Sequence, residues 1–245
     1  MKRILIMLFI IAWTTLCSAG SVEIVRRIPG SQLIEHTDYI LEYCEKHEQA
    51  YYVAYILTRN ELKGTASRKS YFRKDPLVTT GSASHDDYTN SGYDRGHLAP
   101  AADMVENDTK MKESFYMSNV SPQEPSFNRG IWKQLEEKVR RWAIANGRVV
   151  IVTGPVLRGK MKEQIGKNRV SVPRYFYKVV LDPDEPSVKA IGFIIPNTNA
   201  TKKLSTYAMP VDDVEKYTGL DFFPYLSDSL EERVEAAADY DEWNR

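Results

Sequence analysis

Four short runs of β-branched and aromatic residues, 51–58 (YYVAYILT), 149–153 (VVIVT), 175–181 (YFYKVVL) and 188–195 (VKAIGFII), limit what this chain can fold into. Each is strand-length and apolar enough to lie in a core, so each reads as a buried β-strand. The last two are joined through 182–186 (DPDEP), a polar connection of the kind that closes a hairpin. Between the first two runs, 129–145 carries Ile131, Leu135, Val139 and Trp142 at helical spacing and ends on Asn146-Gly147, the signature of an amphipathic helix with a C-terminal stop. A second, shorter helix is expected over 39–47. Elements of both kinds, without repeats or a Gly/Ser-rich linker across 245 residues, give an α+β fold: one domain with a central, largely antiparallel sheet flanked by helices.

The first nineteen residues stand apart. Lys2 and Arg3 precede an apolar stretch from Ile4 to Trp13, and Cys17-Ser18-Ala19 supplies the small residues of a cleavage site. This pattern predicts a signal peptide over 1–19, a mature domain over 20–245, and a secreted or periplasmic protein with no stable membrane association after cleavage. An uncleaved anchor is the competing reading, disfavoured because the run is short for a span of about 20 residues. Cleavage leaves Cys44 as the single cysteine, so the mature fold has no internal disulfide and no cysteine-rich zinc site.

Charge is balanced, 33 basic against 33 acidic residues, which argues against a globally cationic nucleic-acid scaffold. The distribution is uneven. Arg59, Lys63, Arg68, Lys69, Arg73 and Lys74 face only Glu61 in sequence; Arg158, Lys160, Lys162, Lys167 and Arg169 form a second basic stretch; and 228–245 is an acidic tail. These stretches serve either as phosphate-binding patches or as ordinary solvated surface.

The chemistry concentrates in Asp94-Arg95-Gly96-His97. A histidine with an ordinary pKa near 6.5 accepts a proton from water at neutral pH, and a guanidinium offers two parallel donors to a phosphate. Gly96 is expected to allow a geometry that a Cβ would block, aiming His97. At the start of the long helix, Asn128 either caps the helix or offers its carbonyl oxygen to a hard divalent cation. Glu136 would lie about 12 Å away along a regular helix, at 1.5 Å per residue, too far to share an inner coordination shell. It is within reach of a water on the same ion.

The DRGH motif, followed by Ser118-Asn119-Val120-Ser121-Pro122-Gln123 and by Phe127-Asn128-Arg129-Gly130-Ile131-Trp132 with Leu135-Glu136, resembles the DNA/RNA non-specific endonucleases, the ββα-metal nucleases that include endonuclease G. The strand at 51–58, the stretch 172–178 (VPRYFYK) and 218–223 (TGLDFF) extend the likeness over most of the mature chain. The resemblance implies a ββα-metal active-site motif in which His97 is the general base, Asn128 ligates the metal and Glu136 holds a metal-bound water. It implies Mg2+, with Mn2+ as the alternative ion. Arg68, in an Arg-x-x-x-Phe-Arg spacing, matches the phosphate-clamping arginine, with Lys69 and Arg73 close enough to compete for that role. Arg95 donates to phosphate or pairs with Asp94, and Asn119 holds His97 or a metal-bound water. His36, His47 and His85 are taken as ordinary histidines.

No zinc-finger spacing, basic zipper or aromatic RNA-binding strand is visible, and phosphate contacts carry no base information. The expected function is a metal-dependent endonuclease that cuts DNA and RNA with little sequence preference and leaves 5′-phosphate ends. Its expected partners are those substrates, a second copy of itself in a homodimer and an inhibitor protein. Two alternatives remain: an inactive nucleic-acid-binding module on the same fold, and a metal phosphodiesterase for small nucleotides.

Overall fold

A computed structural model describes residues 23–68 and 71–244 of the 245-residue chain. The leader expected over 1–19 and the candidate Lys69 lie outside the described residues. Strands β1 (Gln32–Glu35), β2 (Ile40–Cys44), β3 (Gln49–Thr58), β6 (Arg148–Pro155), β9 (Tyr175–Asp182), β10 (Lys189–Pro196) and β11 (Ala208–Met209) form one sheet in the order β1-β2-β3-β6-β9-β10-β11. Every neighbouring pair is antiparallel. Two hairpins stand outside it: β4 (Asp94–His97) with β5 (Val120–Gln123), and β7 (Glu163–Ile165) with β8 (Val170–Val172). The helices are α1 (Asp108–Glu113), α2 (Pro125–Phe127), α3 (Lys133–Asn146), α4 (Val211–Thr218) and α5 (Asp228–Glu235).

The four apolar runs are the four central strands, and the 182–186 connection joins β9 to β10 as a hairpin. They are buried on both faces because helices cover both. On one face Val53, Tyr55, Leu57 and Ile151 pack with Leu135, Val139 and Trp142 of α3. On the other, the intervening residues Tyr52, Ala54, Val150 and Val152 pack with Val211 and Val214 of α4, Val234 of α5, and Phe222 and Phe223. The two-residue period of the strand thus divides one apolar run between two cores.

Three expectations are corrected. The segment 39–47 is not helical; it supplies β2, between β1 and β3. Leu41 and Tyr43 face one core while Glu42, fully buried, points the other way, pairs with Arg27 and accepts from Ile28 N at 2.9 Å. Pairing partners distant in sequence override a weak local helical pattern. The helix of 129–145 is not continuous either. A wider π-type turn over Asn128–Trp132, kinked at Gly130, precedes α3. The acidic segment 228–244 is not a loose tail: α5 docks on the sheet, and Trp243 stacks on Trp142 with ring centroids 4.8 Å apart.

Candidate active site

The site is built where the β4–β5 hairpin meets the start of α3. β4 is the DRGH segment, its register fixed by pairing Asp94 with Gln123 and His97 with Val120. Gly96 is required by close approach: a Cβ there would overlap the side chain of Gln123, which fills the space on the neighbouring strand. After His97 the chain is clamped by Asn119. Its Oδ1 accepts from Ala99 N at 2.8 Å, and its amide donates to the carbonyls of Ala99 and Ser114 at 2.9 and 2.8 Å. Asn119 N–H groups are therefore spent on backbone, which corrects the expectation that this amide holds the His97 ring or a metal-bound water. Its contribution is to fix where β4 ends.

His97 is only 9% exposed and sits between two phenylalanines, 5.2 Å from Phe72 and 4.9 Å edge-on from Phe115. Its Nε2 is buried with no hydrogen-bond partner. Burial, with the charge of Arg68 beside it, pushes the imidazole down to about 3, so at neutral pH the ring is uncharged and has an open acceptor. Arg68 lies over the Phe115 ring at 5.7 Å, and its charge also acts on Glu136. Arg73 turns elsewhere, stacking on Tyr116 at 4.7 Å and donating to Lys112 O at 3.0 Å. Of the two described candidates, Arg68 is the one beside the histidine.

Asp94 links the strand to the helix. Its carboxylate receives Arg129 in a two-pronged pair, 2.8 Å from Nε and 2.6 Å from Nη2, and accepts from Asn128 Nδ2 at 2.9 Å. Its pKa is lowered: burial opposes ionisation, and the hydrogen bonds from Arg129 and Asn128 outweigh it. The expected pairing of Asp94 with Arg95 is thereby corrected, because Arg129 occupies both oxygens. Arg95 instead leans over Phe72 at 5.6 Å and approaches His85 Nε2 at 2.7 Å. His85 is therefore not the bystander that its sequence context suggested. His36 and His47 are ordinary, bonded to Asp75 and Ser171 at 2.9 Å each.

Asn128 has helical backbone angles and closes α2, its backbone N–H donating to Glu124 O at 2.9 Å, which removes the N-cap reading. Because Asp94 holds its NH2 end, its carbonyl oxygen is the end left open, with no donor to it among the described residues. Glu136, in the first turn of α3, likewise accepts no hydrogen bond among the described residues. Burial raises its pKa, and Lys178 most strongly opposes that rise. Lys178 itself is 1% exposed, its Nζ without a hydrogen bond, 4.9 Å over the Trp132 ring. Nearby, Asp103 joins Arg140 at 2.8 Å and Tyr55 at 2.7 Å. The signal for Lys178 was present: it is the one charge inside the apolar run YFYKVVL. An amide oxygen and a carboxylate, both without donors, are hard oxygen ligands, and they fit a hard divalent cation better than a soft one.

The model of the DNA/RNA non-specific endonucleases matches residues 18–229. The chain is 35% identical over 213 residues to the mitochondrial nuclease EXOG of Danio rerio, covering 80% of this chain and 62% of that protein. It is 33% identical over 214 residues to human mitochondrial endonuclease G, covering 81% and 72%, and 36% identical over 216 residues to nuclease C1 of Cunninghamella echinulata, covering 81% and 86%. It spans about three fifths of the EXOG relatives' length. A solved structure of the EndoG/EndoGI complex superposes with a TM-score of 0.74 at 30% identity, over 80% of this chain and 86% of that one. The mitochondrial relatives overturn the expected secreted or periplasmic setting; they point to mitochondria instead. With four strands of the central sheet, the DRGH hairpin and the segment from Asn128 into α3 in place, the chain belongs to the DNA/RNA non-specific endonuclease family, a family of metal-dependent nucleases.

Proposed function

We propose that this protein is an endonuclease that hydrolyses phosphodiester bonds of DNA and RNA with little base preference, using Mg2+ and leaving 5′-phosphate and 3′-hydroxyl ends. The observation that carries the reading is a pair of open acceptors, the buried Nε2 of neutral His97 and the carbonyl oxygen of Asn128, whose amide is held by Asp94 of the strand that carries His97. In this reading His97 Nε2 takes a proton from the attacking water. Its low pKa in the free protein rises when a phosphate binds, because the anion offsets the Arg68 charge that helps hold it down. Arg68 and Arg95, both with guanidinium faces on aromatic rings beside His97, bind the phosphate oxygens. Asn128 Oδ1 would hold the ion directly and Glu136 would hold one of its waters. A Mg2+ bound there supplies positive charge where the leaving oxygen becomes anionic, so no protein acid is needed on that side. The likeness to a protein solved as the EndoG/EndoGI complex supports control by an inhibitor protein.

The test is conversion of supercoiled plasmid, and of a single-stranded RNA, with Mg2+ and with EDTA. Cleavage of both substrates that requires the metal and is lost in His97→Ala supports the reading. Cleavage that persists in EDTA, or activity confined to small chromogenic diesters, overturns it.

A further inference from the structure

On the face of the sheet opposite α3, carboxylate oxygens of Asp212 and Glu215 in α4 and Glu235 at the end of α5 all lie within 4.8 Å of one another. Clusters of acids are common on surfaces, but Glu235 is not on the surface. It is 4% exposed, and its Oε1 is buried without a hydrogen bond. An ionised carboxylate buried without a partner is costly, so the fold must either keep it protonated or bring a cation to it. The cations nearest in sequence are engaged elsewhere: Lys216 with Asp213 at 2.7 Å, and Arg233, which donates to Val188 O at 3.5 Å. Burial pushes its carboxyl up to about 8, and the neighbouring charges that add most to that rise, Glu215, Glu231, Asp212 and Asp221, are all acids.

We infer that Asp212, Glu215 and Glu235 form a second, structural cation site, specific for Ca2+, that fastens α4 to α5. The donor set is oxygen only, which selects a hard ion. The three carboxylates, within 4.8 Å of one another, are close enough to turn onto one Ca2+ at bonds of about 2.4 Å. Mg2+, with bonds of about 2.1 Å, demands a near-ideal octahedron and gives up its waters reluctantly, whereas Ca2+ tolerates the irregular set that three side chains on two helices provide. Glu215 is already anchored, accepting from Phe222 N through Oε1 at 2.8 Å, and has its other oxygen to give. Asp212 and Glu215 are half-buried, so the ion has an entrance and room for water ligands, while Glu235 closes the floor. The C-terminal end of α5 adds the negative end of a helix dipole beneath the ion.

The experiment uses the full-length protein carrying Asn128→Ala, so that any calcium effect at the candidate active site is suppressed, and measures thermal unfolding and calcium-binding stoichiometry. Ca2+ at about a hundredfold over its Kd is expected to raise Tm by about 5–10 °C, with one ion bound per chain. Adding Glu235→Gln should abolish both, and Asp212→Asn, at the half-exposed rim, should do the same without disturbing the core. Glu235→Gln alone should leave plasmid cleavage unchanged. A Tm indifferent to Ca2+, or raised equally with and without Glu235→Gln and Asp212→Asn, overturns the site. An equal effect of Mg2+ at the same concentration overturns the choice of calcium. A Tm that falls as pH rises from about 5 to 8, with no response to Ca2+, would mean that the three acids share protons instead.

Discussion

At the scale of single residues, the site turns on how burial and neighbours set charge. His97 sits at about 3 when folded, against about 6.5 for an unfolded histidine. Between those values the unfolded chain binds the extra proton, so this residue's contribution to stability is lost as pH falls from about 6.5 towards 3. His97→Ala should therefore unfold less readily than the parent in acid, with a gain on the order of 2–3 kcal/mol at pH 4 relative to pH 7 in denaturant titrations. At neutral pH the same variant should lose about 100-fold or more in plasmid turnover, the scale of a missing general base. Arg68→Ala removes a positive neighbour and should raise the His97 pKa, read directly by NMR titration of the ring; an unmoved or lowered value would contradict the placement of Arg68. Asp94→Asn is the more informative change on the metal side. It breaks the Arg129 pair and releases the Asn128 amide to rotate, so the Mg2+ concentration needed for half-maximal cleavage should rise although no proposed ligand has been altered.

Elements explain why these residues converge. The β4–β5 hairpin contributes only four residues per strand, and its register depends on Gly96 making room for Gln123. Gly96→Ala should cost about 1–3 kcal/mol by overpacking, and Gln123→Ala in the same chain should recover most of it; chemical denaturation of the two variants decides. Asn119→Ala removes three hydrogen bonds from a fully buried amide and leaves the Ala99 N–H and the carbonyls of Ala99 and Ser114 without that partner. A loss of about 2 kcal/mol or more in unfolding free energy is expected. The break between α2 and α3 shows the limit of periodicity: Ile131 and Leu135 belong to one apolar stripe in sequence, yet the chain kinks at Gly130 between Asn128 and α3. Side-chain spacing reports which face is apolar. It does not report whether the backbone beneath is one helix.

For the whole molecule, the basic stretches divide into structural and free charges. Arg59 donates to the carbonyls of Ile144 and Ala145 at the end of α3, and Lys162 reaches Asn197 O, so both serve the fold. Replacing Arg59 should lower stability and leave the salt dependence of DNA binding unchanged, whereas replacing Arg68 should flatten the slope by about one phosphate contact. The four central strands, the hairpin at 182–186 and the family were legible in the sequence, which also put forward His97, Asn128 and Glu136 as candidates, because burial pattern and motif spacing are local properties of the chain. Long-range packing was needed to make Ile40–Cys44 a strand, to bring Arg129 and not Arg95 to Asp94, to set the Lys178 charge against Glu136, and to pack the acidic C-terminal segment against the sheet. Each of those depends on a partner many residues away, and a long-range pairing energy outweighs the small preferences that a short window of sequence can express.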